Sequence, residues 1–327
     1  MQVDGLDRKL LNLVQWEFPL TVEPYVKLGR RLGVSQDDVI GRIEQLKAQG
    51  VIRLISPVLD SRRLGYQTVL VAMRVLGSQL DAAERLIGEH PGVSHGYERE
   101  HYFNLWFTLS TPPGVSMQTE IERLIAPLEV EGLLILPAVK IFKIGAYFNM
   151  DKDRRGRKGI PARPTTVLPR ATELSMTDKL IINEIQQDLP LIPAPFSFMA
   201  ARVNIEPEDF LAHCLSLLQR GIMRRFGASI NHRRAGFKAN ALTCWAVPEH
   251  LVDFAGQKLA SLPQVSHCYE RRASPPWQYN LFAMVHDHTR EACQEIACNV
   301  SLQIGSMDCV LLFSTREFRK TRIKYLV

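Results

Sequence analysis

The chain lacks the features that would place it in a membrane or outside the cell. Its 327 residues contain no apolar run near the length of a membrane-spanning helix, and its N-terminus lacks the basic-then-apolar pattern of a signal peptide. The six cysteines all fall in the second half, and no two form a C-x-x-C pair. This spacing disfavours a zinc knuckle or a thioredoxin-like site. We therefore expect a cytoplasmic protein with reduced thiols and no membrane partner.

Excess positive charge is concentrated in one segment. The net charge is +6, and residues 151–173 contain seven Lys or Arg against three Asp or Glu. That segment is rich in Pro and Gly and has no periodic apolar pattern, which indicates an exposed linker. The rest of the chain is nearly neutral, so its charge does not indicate a surface for nucleic acid.

The sequence before this linker repeats after it. With a shift of 171 positions, FPLTVEPY (18–25) aligns with LPLIPAPF (189–196), and GVIRLISPVLDSRRLGY (50–66) aligns with GIMRRFGASINHRRAGF (221–237). Further on, VSHGYERE (93–100) matches VSHCYERR (265–272). Two repeats of this length are too few and too long for a solenoid. They predict two homologous modules in tandem.

Each module has the pattern of an α+β fold. Apolar residues at helical spacing predict three short helices, and a turn at Gly33 with Ser35 as N-cap predicts a helix-turn-helix. A short wing at 51–53 follows, and then the order β-α-β-β-α-β of a ferredoxin-like sandwich. One sheet face carries the helices, so we expect the other to pair with the second module as an internal pseudo-dimer. The predicted domains are helix-turn-helix units at 1–60 and 174–231, ferredoxin-like domains at 61–150 and 232–327, and the basic linker at 151–173.

A winged helix-turn-helix joined to a ferredoxin-like sandwich resembles the Lrp/AsnC family of transcriptional regulators. DNA affinity comes chiefly from Lys and Arg that neutralise phosphates, so a recognition helix should be basic. The third helix of module one (35–49) has three acidic residues against two basic ones, and its counterpart (206–220) has three against one. The acidic residues cluster in the first turn, where they also suit the helix dipole. Binding to nucleic acid is therefore not expected.

A cluster of cations follows the second helix-turn-helix. Several guanidinium groups that converge on one place suit a small ligand with several carboxylates or phosphates, because each binds an oxyanion bidentately. The alternative is a solvated surface loop. The cluster consists of Arg224, Arg225, His232, Arg233 and Arg234, with a weaker counterpart at Arg53, Arg62 and Arg63.

The predicted hairpins carry the second group of candidates. Alternate residues of a strand face opposite ways, so part of this aromatic-rich set faces the space between the two sheets. Arginines at its rim would make a flat apolar slot with a cationic edge, which suits a planar macrocycle with acidic side chains. The alternative is core packing for the aromatic residues and simple exposure for the histidine. The set is Arg99, His101, Phe103 and Trp106 in module one, and Arg271, Trp277 and Tyr279 in module two.

Longer strings resemble a particular group of Lrp-like enzymes, the siroheme decarboxylases. FPLTVEPY, HYFNLWFTL and LPAVKIFKIGAYF in module one, with RRFGASINHRRAGF, WQYNLFAMVH and FSTREFRKTRIKYL in module two, resemble the two subunit types of that family. The resemblance covers both modules and implies a natural fusion of the two subunits. It implies a carboxy-lyase of heme or heme d1 biosynthesis that removes the C12 and C18 acetate carboxylates of siroheme as carbon dioxide. No added cofactor is implied, because the iron arrives with the substrate.

The implied reaction assigns roles to the candidates. Arginine beside a departing carboxylate would stabilise the ground state, so we assign the arginines to the carboxylates that stay. The departing ones are expected against apolar surface near Phe103 or Trp106. His101 and His232 are the candidate proton donors, and either of them could instead ligate the iron axially. The alternative function is an Lrp/AsnC-type regulator that responds to a tetrapyrrole.

The modules differ at matched positions. His101 aligns with Trp277, and His232 aligns with Ser61. We therefore predict one working site, formed by the arginines of module two with His101 reaching in from module one, and a degenerate second pocket. Whether the fused chain forms a further homodimer is left open by the sequence.

Overall fold

The computed structural model describes residues 3–145, 150, 170–231, 239–273, 275–305 and 308–327. Module one contains α1 (Gly5–Trp16), α2 (Pro24–Leu32), α3 (Gln36–Ala48), β1 (Ile52–Leu59), β2 (Gln67–Val75), α4 (Leu80–Glu89), β3 (Val93–Arg99), β4 (Leu105–Thr111), α5 (Met117–Ile125) and β5 (Val130–Ile144). Module two contains α6 (Met176–Ile185), α7 (Pro195–Arg202), α8 (Pro207–Gln219), β6 (Met223–Ile230), β7 (Ala239–Trp245), α9 (Val252–Ser261), β8 (Val265–Arg271), β9 (Leu281–Asp287), α10 (Arg290–Ile304) and β10 (Cys309–Lys320). The same order of elements occurs twice, which confirms the tandem α+β repeat.

The helix-turn-helix units form where the sequence predicts them. Ser35 caps α3 by accepting a hydrogen bond from the amide of Asp38, whose carboxylate accepts one from the amide of Ser35 in return. Gly33, with φ of 72°, ends α2 in the left-handed conformation that glycine adopts without strain. Asp38, one of the acidic residues of α3, therefore helps to cap this helix.

The predicted wings are longer than three residues and join the modules. β1 pairs antiparallel with β6 over the whole strand, from Ile52 opposite Ile230 to Leu59 opposite Met223. One apolar cluster connects this ribbon with the helices of both units, including Val14, Ile43 and Phe226. The two helix-turn-helix units therefore share one core.

The two ferredoxin-like sheets are joined at both edges. In the described part of the chain they close into an eight-stranded barrel in the order β10-β3-β4-β2-β5-β8-β9-β7. β5 pairs with β2 of its own module and continues along β8 of the other, and β10 likewise pairs with β7 and β3. The sequence pattern predicts two sheets that pair through their open faces, whereas the structure joins them edge to edge in one barrel. The barrel closes because β5 and β10 are long enough to cross between the modules.

Helices cover the barrel on the outside, and its interior is divided into two parts. Separate apolar clusters lie between each sheet and its own helices. A third cluster, which includes Trp106, Trp277 and Phe282, fills one end of the interior. The other end faces the helix-turn-helix units and is lined by polar side chains. No described helix combines the length and apolar character that crossing a membrane requires.

Candidate active site inside the barrel

Two matching rows of side chains line the barrel interior. β3 and β8 each contain the pattern His-x-Tyr-x-Arg, and residues two apart on a strand face the same side. In both strands a β-bulge just before the histidine turns this residue and the preceding serine toward the same side. The rows are His95, Tyr97 and Arg99 in module one, and His267, Tyr269 and Arg271 in module two.

Both histidines are held by the serine that precedes them. The Ser94 Oγ lies 3.0 Å from the Nδ1 of His95, and the Ser266 Oγ lies 2.9 Å from the Nδ1 of His267. Burial, and then the nearby Lys320, lower the pKa of His95 to about 3 and that of His267 to about 4. The imidazoles are therefore neutral at neutral pH in the ligand-free protein.

These side chains mark a candidate crevice. His95, His267 and Tyr269 are largely covered by the fold, yet each keeps part of its surface accessible to solvent. We therefore take the space between the two rows, at the end of the barrel that faces the helix-turn-helix units, as the candidate crevice.

Three arginines approach the crevice on the side of His267. Arg224 is paired with the buried Asp60 at 2.7 Å between Nη2 and Oδ2. Arg225 donates to the carbonyl of Gln15, and burial lowers its pKa to about 9. The Nη1 of Arg62 is buried and has no hydrogen-bond partner among the described residues. Arg62 is therefore the cation best placed to donate a hydrogen bond to an oxyanion of a ligand.

Arg53, which corresponds to Arg224 in the repeat, is likewise engaged on the side of His95. Arg53 donates to the carboxylate of Glu317 at 2.9 Å and to the carbonyl of Lys320 at 3.0 Å. In the strand pairing, Glu317 lies opposite Tyr97, whereas Ile141 lies opposite Tyr269. The two halves of the crevice therefore differ in charge.

Arg99 and Arg271 form the layer between the polar and apolar ends. Arg99 donates to the carbonyl of Leu312 and Arg271 to that of Leu136, each at 2.6 Å. Their guanidinium groups stack on the tyrosines of their own rows at 5.0 and 4.9 Å. Burial lowers the pKa of each to about 10. These contacts connect neighbouring strands of the barrel.

The aromatic candidates pack against one another at the far end. Trp106 and Trp277 are almost fully buried, with ring centroids 5.4 Å apart, and Tyr279 lies 4.9 Å from Trp277. The indole of Trp106 donates to the carbonyl of Phe103 at 2.7 Å. The ring of His101 lies 5.5 Å from that of Trp277, and its Nδ1 accepts from the amide of Phe103. Burial lowers the pKa of His101.

The structure does not bring His101 to the arginines of module two. His101 follows the end of β3, six residues beyond His95, which corresponds to about 20 Å of extended strand. Arg224 and Arg225 lie close enough to His267 to influence its pKa. The candidates His232, Arg233 and Arg234 lie outside the described residues.

His95, His267, Tyr97 and Tyr269 are candidate site residues that were not predicted from the sequence. Their signal is the pattern V-S-H-x-Y-E-R, which occurs in both modules at equivalent positions. Among the described residues, no group of three or more His, Cys, Asp or Glu is placed to hold a metal ion.

Comparisons with known proteins agree with both parts of the fold. A family model for the AsnC-like ligand binding domain matches residues 63–143 and 234–319, and one for the siroheme decarboxylase NirDL-like helix-turn-helix domain matches residues 7–53 and 178–224. The chain is 38% identical to a siroheme decarboxylase of Hydrogenobacter thermophilus, with 97% of this chain and 94% of that protein covered.

Further relatives bear on the architecture. A siroheme decarboxylase beta subunit of Methanosarcina barkeri is 38% identical over 46% of this chain and 99% of its own length, so it corresponds to one module. A crystal structure of the siroheme decarboxylase NirDL in co-complex with an iron-uroporphyrin III analogue is 33% identical. It superposes with a TM-score of 0.73 over 99% of this chain and 95% of that one.

Proposed function

Because the chain belongs to the siroheme decarboxylase family, we propose that it is a carboxy-lyase that converts siroheme to 12,18-didecarboxysiroheme and carbon dioxide. The acetate carboxylates at C12 and C18 are the groups that leave. No cofactor is required in this proposal, since the iron enters with the substrate. Support comes from relatives named for this activity and from a solved relative that holds an iron-uroporphyrin III analogue.

One observation carries the proposal at the level of the site. The candidate crevice combines two largely covered, neutral histidines, two tyrosine rings and the partly exposed Arg62, whose buried Nη1 lacks a partner among the described residues. Apolar and aromatic walls with a few convergent polar groups are typical of a ligand pocket. A planar pigment with several carboxylates matches both the rings and the cations.

We assign the retained carboxylates to Arg62, Arg224 and Arg225. An interaction that holds substrate and transition state equally improves binding without raising the rate of the chemical step. Cations beside a departing carboxylate would favour its charged ground state, so the departing groups belong toward the histidine and tyrosine layer. Arg233 and Arg234 remain predicted partners of the retained carboxylates.

Loss of each carboxylate requires one proton. The bond between the methylene carbon and the carboxylate carbon breaks, carbon dioxide leaves, and the electron pair stays with the methylene carbon and the macrocycle. A proton then forms the new C–H bond of the methyl group. We assign its donation to His95 and His267 in place of His101, because the latter packs against Phe103 and Trp277 at the far end. His232 and axial ligation by His101 remain predictions.

The polyanionic substrate would prepare these histidines for donation. Burial and surrounding cations keep the pKa of both histidines low in the empty crevice. A carboxylate within about 4–6 Å favours the protonated form of an imidazole. Binding of siroheme would therefore raise their pKa values and favour the gain of a proton at one ring nitrogen while the other ring nitrogen donates.

Anaerobic incubation with siroheme followed by mass analysis tests the function. The expected product is lighter than siroheme by two molecules of carbon dioxide. Unchanged siroheme, together with siroheme-dependent retardation of a DNA fragment, would refute the enzyme and support the tetrapyrrole-responsive regulator.

A further inference from the structure

A third histidine is connected to the crevice in one half of the barrel only. The hydroxyl of Ser266 lies 2.9 Å from the Nδ1 of His267 and 2.8 Å from the Nε2 of His286 on β9. A third neighbour, the carbonyl of Met284, is more distant at 3.5 Å. Ser266 and His286 are both buried, so the contact is protected from competing water. The serine hydroxyl thus bridges two imidazoles.

The equivalent bridge is absent from the described residues of module one. Ser94 contacts the Nδ1 of His95 in the same way. The strand pairing places Ser110 at the position that corresponds to His286, because Ser110 lies opposite Thr68 and His286 opposite Asn240. The Ser110 hydroxyl bonds to Thr68 at 2.9 Å. Only the half that contains His267 therefore has a second imidazole behind the serine.

The chemistry of His267 makes such a bridge useful. An imidazole that stays neutral donates its Nε2 proton poorly unless its Nδ1 gains a proton at the same time. The hydroxyl of Ser266 can supply that proton if it receives another from His286. Because Ser266 both donates and accepts, it can transfer a proton without carrying a net charge.

We infer that Ser266 and His286 form a proton relay to His267 that serves one of the two decarboxylations. This inference rests on the proposed function. His267 gives its Nε2 proton to the methylene carbon after carbon dioxide leaves, and its Nδ1 takes the hydroxyl proton of Ser266. The oxygen of Ser266 takes the Nε2 proton of His286, and the Nδ1 of His286 takes a proton from solvent, so that each group is neutral before and after the transfer. Exchange with water after product release restores the first tautomers of His267 and His286.

A polar cleft lies beside the strand that pairs with β9. Asn240, which is opposite His286 in the strand pairing, lines this cleft of about 380 Å³ next to the first turn of α10. His288 and Arg290 also line it. In the relay, this cleft is the entrance through which solvent protons reach His286.

The test compares single turnovers of pre-bound siroheme in the full-length protein under anaerobic conditions. Samples are quenched over time, and mass analysis gives separate rate constants for the first and second loss of carbon dioxide. The variants are Ser266→Ala, Ser266→Thr and His286→Gln, with Ser110→Ala as the matched control at the position equivalent to His286. Each variant is also titrated with siroheme, and each turnover is repeated in deuterium oxide.

Ser266→Ala and His286→Gln are expected to slow one of the two steps by about 100-fold, the usual lower range for loss of acid–base catalysis. The monodecarboxylated intermediate accumulates, the Kd for siroheme stays unchanged, and the solvent isotope effect on that step changes. Ser266→Thr, which keeps the hydroxyl, is expected to recover most of the rate that Ser266→Ala loses, and Ser110→Ala is expected to behave like the wild type.

Wild-type rates for both steps in Ser266→Ala and His286→Gln would overturn the relay while leaving the proposed function intact. A loss of affinity at unchanged rate would also overturn it, because that result describes a structural role. Failure of the wild type to release carbon dioxide would refute the proposed function and the relay with it. Nitrogen-15 spectra of labelled histidine add a measurement independent of turnover: Ser266→Ala should shift the tautomer balance of His267, and an unchanged balance contradicts the relay.

Discussion

Replacing Arg62 with methionine should change stability and ligand binding in different ways. Arg62 lies in the turn between β1 and β2, where its Nη1 is buried without a hydrogen-bond partner among the described residues. Burial lowers its pKa, although the nearby Tyr269 and Asp60 partly oppose that effect. A buried cation that lacks full pairing costs free energy in the empty protein. Methionine keeps most of the aliphatic stem and removes that cost.

The expected changes in the Kd for siroheme and in the free energy of unfolding follow from the contacts of Arg62. If Arg62 binds a retained carboxylate, its loss removes a charge-assisted hydrogen bond worth about 1.5–3 kcal/mol. At about 1.4 kcal/mol for each factor of ten, the Kd for siroheme should rise about 10- to 100-fold. The free energy of unfolding without ligand should stay the same or increase. An ordinary buried side chain behaves differently, since its truncation usually lowers stability.

Two measurements and one control decide the matter. Anaerobic absorbance titration gives the Kd for siroheme, and urea unfolding of the ligand-free protein gives the free energy of unfolding. Arg63→Met is the matched control, because the neighbouring Arg63 contacts Thr172 and Gly221 and makes no contact with the histidine rows among the described residues. A Kd equal to that of the wild type would refute the role of Arg62. A decrease in the free energy of unfolding as large as the loss of binding free energy would also refute it.

Further predictions concern the histidines and the barrel packing. Replacing His95 or His267 with glutamine should slow release of carbon dioxide by about 100-fold or more in single-turnover assays while siroheme remains bound; undiminished rates would remove both residues from the mechanism. The pKa of His95, about 3, and that of His267, about 4, lie below the ordinary histidine value of 6.5. As the pH falls, these two histidines are therefore protonated in the unfolded chain before they are protonated in the folded protein. Stability should be greatest above about pH 6.5 and decrease toward pH 4, by up to about 1.4 kcal/mol per pH unit and histidine; urea midpoints measured across this range would show a flatter profile in the double glutamine variant. Gly96→Ala would place a Cβ in steric conflict with the ring of Phe318, so the Tm should fall as expected for a loss of about 1–3 kcal/mol, and an unchanged Tm would contradict the packing of β10 on β3.

The repeated pattern was sufficient to predict the helices and strands of each module and their order. Helical spacing, the Ser35 cap and the turn at Gly33 fix the helix-turn-helix units locally, and the strand order follows from the alternation between elements. Closure of the barrel could not be predicted in this way. The inward and outward alternation of β5 is the same whether this strand ends at its own sheet or continues along β8. Only the strand length distinguishes the two arrangements.

The site was harder to predict because closeness in sequence is a poor guide to a shared surface. Arg224 and Arg225 are adjacent on β6, at the register shift opposite Val58 and Leu59, yet they have different partners: Asp60 for Arg224, and Trp16 of α1 for Arg225. His101 was a candidate proton donor, and its replacement by Trp277 in module two suggested a role specific to module one. Both aromatic rings instead belong to the packed end of the barrel. Which end of the barrel remains accessible depends on the pairing of both modules, and neither module contains that information alone.

The unequal halves of the barrel explain why it is built from two different modules. In a barrel made from two identical subunits, every residue of one row would have an identical counterpart in the other. Here Glu317 on one side corresponds to Ile141 on the other, and His286 corresponds to Ser110. These differences place Glu317 opposite Tyr97 in one half and a second imidazole behind His267 in the other. Such a crevice can treat two departing carboxylates of one asymmetric pigment differently, and it requires either two distinct subunits or their fusion.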